Sequence, residues 1–239
     1  MKRRYDSYVP LERASVSRED YLKAILEMEQ EGLVPIGVRL SESLRVTPPA
    51  VTAALKRLTR DGLTMVDRHG RIRLTSKGAR EAESLVVRHR LAEKLLTEVL
   101  GMEWSKVHEE AEKLEHAISP EVEKHLLKFF GNGGNCPHGN PLYGGLAALR
   151  KNLGAIRLSE VAPPAGVEVL RVHEDKGLLE FLSSLAIFPG TRLRIRSLSY
   201  DGTMVLTKGR KIIHLSESAR AQIWVQRLAP GGSHNSAAT

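Results

Sequence analysis

Residues 47–75 read TPPAVTAALKRLTRDGLTMVDRHGRIRLT, and the organisation of the chain follows from how this stretch folds. Thr47 ahead of Pro48 marks a helix start, because the hydroxyl can accept from first-turn N–H groups and the proline ring already holds a helical φ. TMVDR and RIRLT, joined at His69-Gly70, read as two short strands of a hairpin. Upstream, SREDYLKAILEMEQEG opens on Ser17, with Asp20 at the third helical position and Tyr21, Ala24, Ile25 and Met28 as its apolar face; Gly32 stops it. PIGVRLSESLRV supplies a second short helix. Three helices followed by a basic hairpin is the order of a winged helix-turn-helix, whose second motif helix enters the DNA major groove.

That order makes Ala50–Arg60 the reading helix. Thr47, Pro49, Ala50, Thr52 and Ala53 offer methyl groups and hydroxyls to bases, while Lys56, Arg57, Arg60, Arg68, His69 and Arg71 suit phosphates. A three-helix packing unit with a solvated basic face has the same pattern. Residues 1–75 carry 14 Lys/Arg against 10 Asp/Glu, and the whole chain has a formal charge of +8. Such an excess favours a polyanionic partner but bears on association rather than fold.

At 239 residues and 41% hydrophobic, the chain can build two or three small cores. No run approaches the roughly 18 uncharged apolar residues of a membrane span, and MKRRYDSYVP has no apolar signal core behind it. A cytoplasmic protein with no membrane partner is expected. The single cysteine, Cys136, excludes an intramolecular disulfide framework and a multi-cysteine zinc module, so any metal must be held mainly by His and carboxylates.

SKGAREAESLVVRHRLAEKLLTEVLG reads as one long helix, with Val86, Leu91, Leu95, Leu96 and Val99 at helical spacing. MEWSKVHEEAEKLEHAIS and SPEVEKHLLKFFG follow, the latter opened by Ser119 and Pro120. A helix-turn-helix needs a two-fold partner to span two half-sites, so a helical dimer module behind it makes physical sense. Within HEEAEKLEH (108–116), at ~100° per residue, His108, Glu112, Glu115 and His116 share one helical stripe beside the apolar Val107, Ala111, Leu114 and Ile118. Either this row is a solvated flank or it is half of a metal site.

After GNGGNCPHGNPLYGG the segment LSEVAPPAG reads as a linker. The short strands VEVLRVHED, TRLRIRSLS, TMVLTKG, RKIIHLS and QIWVQRL then indicate a small SH3-like β-barrel. The expected fold class is α+β. It comprises a winged helix-turn-helix (1–75), an all-α domain suited to dimerisation (76–150), a linker (151–165), an SH3-like domain (166–228) and a disordered tail (229–239), and the family resemblance set out next implies that the second of these binds metal and that the SH3-like domain is FeoA-like.

VVRHRLAEKLLTEVLG followed by KVHEEAEKLEHAISPEVEKHL, behind a winged helix and ahead of an SH3-like domain, closely resembles the diphtheria-toxin-repressor family of metal-activated transcriptional regulators, in its three-domain manganese-sensing form. The resemblance runs from about Ser17 to Leu228. It implies a homodimer that binds palindromic operators in double-stranded DNA when Mn(II) or Fe(II) is bound, with Zn(II) or other divalent ions able to substitute. It also implies repression of metal-uptake genes, with no enzymatic activity and no small-molecule substrate. By position it assigns a primary metal set of Asp20, His89, Glu112, Glu115 and His116, and a secondary set of Glu93, Cys136, His138 and Asp175, with His108 as an ancillary ligand. Asp20 and Glu112 stand where the iron-sensing branch has methionine and cysteine. Oxygen donors in those places suit Mn(II), the weakest binder of the first-row series. Lys23 departs from the short two-domain manganese sensors, which have a glutamate there, so their closely spaced two-metal arrangement is not carried over.

Read without the resemblance, the same residues leave alternatives. Asp20 is equally the acid of a capping arrangement begun at Ser17. His89 and Glu93, at i and i+4, are spaced like a solvated ion pair. A winged-helix regulator with an organic effector and a metallohydrolase are the competing functions; against the second, HExxH is absent and no separate general base is evident.

Overall fold

The computed structural model describes residues 16–229. MKRRYDSYVP and, beyond Ala229, the expected tail lie outside the described residues. The chain divides into two compact units between Leu85 and Val86.

In the first unit, Ser17 caps helix α1 (Arg18–Gln30) reciprocally: its backbone N–H donates to Asp20 Oδ2 at 2.6 Å, and its hydroxyl accepts from Asp20 N at 3.2 Å. Two orphan donors of the helix start are satisfied together. α1 buries Tyr21, Leu22, Ala24, Ile25 and Met28. Helix α2 (Gly37–Leu44) ends on Arg45, whose φ of 53° turns the chain sharply into α3 (Pro48–Arg60). Thr47 caps α3, which buries Val51, Ala54 and Leu58 against the first two helices and leaves the opposite face outward. Strands β1 (Thr64–Val66) and β2 (Ile72–Leu74) form the antiparallel hairpin, with Met65 opposite Arg73. At its tip, Asp67 Oδ1 accepts from the backbone N–H groups of His69 and Arg71, a side-chain-built turn of the kind aspartate favours. Those N–H groups, that of Arg71 foremost, hold the Asp67 carboxyl below its usual range. Gly78 is required where it stands, because a Cβ would fall 2.0 Å from the Leu63 carbonyl oxygen.

Helix α4 (Ser76–Lys94) continues into a π-helical turn, Leu95–Val99, closed by Leu100 N to Leu95 O at 3.1 Å. In the second unit, α5 (Val107–Leu114) buries Val107 and Ala111, and α6 (Pro120–Phe130) is capped by Ser119. The α-helical part of HEEAEKLEH ends at Leu114; Glu115–Ala117 form a 3-10 turn. Leu114 and Glu115 keep helical φ and ψ, so the turn tightens the expected row rather than breaking it. Ser119 must be extended to cap α6 ahead of Pro120, and the chain tightens to reach it.

Helix α7 (Gly145–Leu153) leads to β3 (Ile156–Arg157), β4 (Ala165–Val172), helix α8 (Lys176–Ser184), β5 (Arg192–Leu198), β6 (Met204–Lys208), β7 (Lys211–Leu215), the single-turn α9 (Glu217–Arg220) and β8 (Ile223–Arg227). The sheet order is β3-β8-β4-β5-β6-β7, antiparallel throughout. Val167, Val169, Leu193, Ile195, Leu206, Ile213 and Val225 fill its interior. The stretch expected to be a linker belongs to this domain: Ile156 pairs with Val225, and Leu158 and Val161 are buried in the barrel core. A β-bulge on β4 between Val169 and Arg171 puts Arg171 directly opposite Trp224.

Candidate metal centre and reading face

On α3, Thr47, Pro49, Ala50, Thr52, Ala53, Lys56, Arg57 and Arg60 are all exposed, as are Arg68 and Arg71 on the hairpin. Thr52 donates its hydroxyl hydrogen to Pro48 O at 3.0 Å, so toward a base its oxygen is an acceptor. Arg60 pairs with Asp61 at 3.2 Å and Arg71 with Asp67 at 3.9 Å. Exposed pairs of this kind are worth little and exchange readily for phosphate. The face combines a small, largely apolar centre with basic flanks.

The second unit holds a different kind of site, centred on Glu93. This carboxylate is fully buried on α4, and three imidazoles surround its Oε1: His138 Nδ1 at 3.0 Å, His89 Nε2 at 3.2 Å and His108 Nδ1 at 3.3 Å. His89 lies one turn before Glu93, His108 comes from the start of α5, and His138 from the loop between α6 and α7. Glu174, just after β4, closes the ring, with Oε1 3.5 Å from His138 Nδ1 and Oε2 3.7 Å from His108 Nδ1. The Cys136 thiol lies 3.8 Å from Glu174 Oε1. One donor atom from each of His89, Glu93, His108 and Glu174, or from each of Glu93, Cys136, His138 and Glu174, falls within 4.8 Å of the others.

The electrostatics are those of a charge cluster out of water. Burial drives the Glu93 carboxyl upward, but His138, His89 and His108 together hold it well below the usual carboxylate range. Burial likewise disfavours the His108 cation, yet the hydrogen bonds it donates to the Glu112 and Glu93 carboxylates push its pKa up to about 10. His138 is raised by Glu93 against its own desolvation. Burial pushes the Cys136 thiol up to about 12. In Glu174 both burial and the neighbouring Glu93 charge work against ionisation, and His138 and His108 overcome them.

Two observations fit these residues to a divalent cation. Glu93 Oε2 is buried and has no hydrogen-bond partner, a costly state for a carboxylate oxygen unless a cation is meant to meet it. The tautomer of His138 is also set for ligation: its Nε2 donates to Trp104 O at 3.0 Å, leaving Nδ1 toward Glu93 and Glu174. An outer hydrogen bond of this kind orients metal-binding histidines. Trp104 is held in turn, its Nε1 donating to Pro137 O at 2.9 Å and its ring 5.0 Å from that of Phe188.

The expected ligands are distributed unevenly. Glu93, His108, Cys136 and His138 come together, and His89, expected in the primary set, turns Nε2 into this nest while Nδ1 meets Glu115 Oε2. Glu115 is buried, and His116 Nε2 lies 3.8 Å from its other oxygen. Glu112, more than half exposed, faces His108 Nε2 at 3.5 Å. Asp20, in the first unit, caps α1. Asp175 does not join the nest: its carboxylate caps α8, accepting from Leu178 N at 2.9 Å, and Glu174 takes the place expected for it. The capping signal was available in the sequence, because an aspartate three residues before Leu178 at a helix start belongs to the cap, which leaves its neighbour to point elsewhere.

Three family models match the chain in order. They are the iron dependent repressor N-terminal DNA binding domain over residues 14–70, the iron dependent repressor metal binding and dimerisation domain over 75–144, and the FeoA domain over 156–227. The iron-dependent repressor IdeR of Mycobacterium leprae is 31% identical over 222 residues, covering 88% of this chain and 96% of that protein. The diphtheria toxin repressor of Corynebacterium diphtheriae is 30% identical over 220 residues with the same coverage. Among solved structures, a manganese-dependent transcriptional repressor in complex with manganese aligns with a TM-score of 0.80 at 29% identity, over 89% of this chain and all of that one. The manganese regulator SloR aligns at 0.76 and 27% identity over 90% of this chain and all of that one.

Proposed function

The chain belongs to the iron-dependent repressor family, and from that premise we propose that it is activated by Mn(II), with Fe(II) as the second candidate ion, and represses metal-uptake genes from the cytoplasm by binding palindromic operators. It is a metal-dependent, DNA-binding transcriptional repressor rather than an enzyme, and it acts as a dimer. No helix among the described residues is long and apolar enough to cross a membrane. The exposed Val122 and Phe129 on α6, a helix with no buried residue, support a second copy as the partner of that domain.

The donor set carries the choice of ion. Asp20, Glu112 and Glu115 supply carboxylate oxygens and His89 and His116 imidazoles to the primary set, Asp20 entering it through the family resemblance. Glu93, His108, His138, Cys136 and Glu174 form the second set. Hard oxygen and imidazole donors favour Mn(II) over its later competitors better than a thioether or thiolate does. A bound divalent ion supplies the positive charge and directional bonds that let these carboxylates face one another. Without it, Glu93 and Glu174 repel, and protonated His108 and His138 do the neutralising. Pro49, Ala50, Thr52 and Ala53 read bases, and Lys56, Arg57, Arg60, Arg68 and Arg71 hold phosphates.

Fluorescence anisotropy tests this on a labelled duplex selected by the protein from a random-sequence pool, at one salt concentration, with Mn(II), Fe(II), Zn(II) or chelator. Mn(II) is expected to raise affinity at least ~10-fold over chelator, about 1.4 kcal/mol of coupling. Equal binding under chelator contradicts a metal switch, and a strong preference for Zn(II) over Mn(II) contradicts the choice of ion.

A further inference from the structure

We propose that Asn140 is a positioning residue for Glu174, the link in a buried chain from Trp224 through Arg171 that aims this carboxylate into the second metal site. The inference rests on the metal reading above and goes beyond it, since Asn140 and Arg171 are not themselves ligands.

The chain begins at the β4 bulge. Opposite Trp224, Arg171 lays its guanidinium on the indole, 4.3 Å from the ring centroid, a contact strengthened where both partners are out of water. Its Nε donates to Asn140 Oδ1. Asn140 Nδ2 then donates to Glu174 Oε1 at 2.6 Å. Trp224, Arg171 and Asn140 are all buried, so neither hydrogen bond has bulk water as a ready substitute.

The loop that carries Asn140 is fixed from both sides. Cys136 N donates to Asn140 O at 2.8 Å and Gly139 N to Cys136 O at 2.9 Å, while Val172 N donates to His138 O at 3.0 Å. At Gly139, with φ +89°, a Cβ would fall 2.0 Å from Leu170 O. Loop and strand backbones therefore touch, and Asn140 is held in register with the strand that leads to Glu174.

The residue type follows from the chemistry. The linking side chain must accept from a guanidinium at one end and donate to a carboxylate at the other. An asparagine amide does both, whereas an aspartate of the same shape accepts at both ends. The donor matters because Glu174 faces Glu93, whose like charge repels it. Held by Oε1, Glu174 keeps its second oxygen toward His108. Released, it is directed only by its longer contacts with His138 and His108, at 3.5 and 3.7 Å.

Asn140→Asp keeps the acceptor for Arg171 and replaces the donor to Glu174 by a second carboxylate oxygen, so it both removes the bond and sets a like charge beside Glu174. Mn(II) would be titrated into the full-length protein, reading free Mn(II) by electron paramagnetic resonance, with melting of the metal-free protein as the control for folding. The expected result is a loss of at least ~10-fold in affinity for one class of Mn(II) site, the other class and the melting curve staying near wild type. In a Glu174→Gln background the same substitution should cost nothing further, because the two act through one bond. Arg171→Gln, which leaves the Asn140–Glu174 bond but unties its anchor, should give a smaller loss at the same class, and decides the matter if Asn140→Asp does not fold. Wild-type affinity in these variants, or an equal loss in the Glu174→Gln background, overturns the role of Asn140 alone. A wild-type protein that binds no Mn(II) overturns the metal reading and this proposal with it.

Discussion

The exposed Pro49, Ala50, Thr52 and Ala53 on α3 come from little more than one turn of one helix, whereas the nest around Glu93 draws its groups from α4, α5, the loop before α7 and Glu174, two residues beyond β4. Each α3 side chain faces solvent and acts largely by itself. The groups around Glu93 share a desolvated space, and the charge of each is set by the others. Substitutions on the reading face should therefore be small and additive, and those in the nest large and mutually dependent.

Glu93→Ala should give the largest effect. It leaves His138 and His108 buried without their common acceptor, and breaking a buried charged network by removing one partner costs roughly 3–5 kcal/mol. Urea denaturation of the metal-free protein measures it, and a loss below about 1 kcal/mol would mean that the nest is no more coupled than a surface pair. Asp20 offers an intermediate case that separates structure from ligation. Asp20→Ala removes half of the capping box and should cost about 0.5–2 kcal/mol. Asp20→Asn keeps an acceptor for Ser17 N and should melt close to wild type, yet both variants should lose the Mn(II) response of DNA binding. A fully responsive Asp20→Asn protein would remove this residue from the ligand set. Arg57→Ala should give the smallest effect, a modest weakening that is uniform across DNA sequences, with the slope of log affinity against log salt shallower by about 1. A change in sequence preference instead would move Arg57 from the phosphates to the bases.

The same contrast explains what was legible in the sequence. Ser17, Thr47 and Ser119 announce their helices because a cap acts within three residues, and the hairpin follows from a local alternation broken by His69-Gly70. The spacing of His89 and Glu93 likewise puts them in contact within one helix. Features that depend on distant partners were not legible in this way. The pairing of Ile156 with Val225 draws an expected linker into the barrel, and no local pattern announces it. The 3-10 turn at Glu115–Ala117 has its cause further along the chain, in the extended Ser119 that α6 demands ahead of its proline. Glu174 rather than Asp175 reaches the nest because the aspartate is taken by the α8 cap. Asn140 and Arg171 carry no motif, and their significance comes only from the bulge that sets Arg171 on Trp224.

The most direct test of the account is reciprocity between its two regions. If metal and DNA select the same state, each must tighten the other by one factor. Isothermal titration of Mn(II) into the full-length protein, alone and saturated with its selected duplex, measures that factor without assuming which residues transmit it. DNA should raise Mn(II) affinity by the same factor, at least ~10-fold, by which Mn(II) raises DNA affinity; identical Mn(II) affinities with and without DNA would contradict a metal switch.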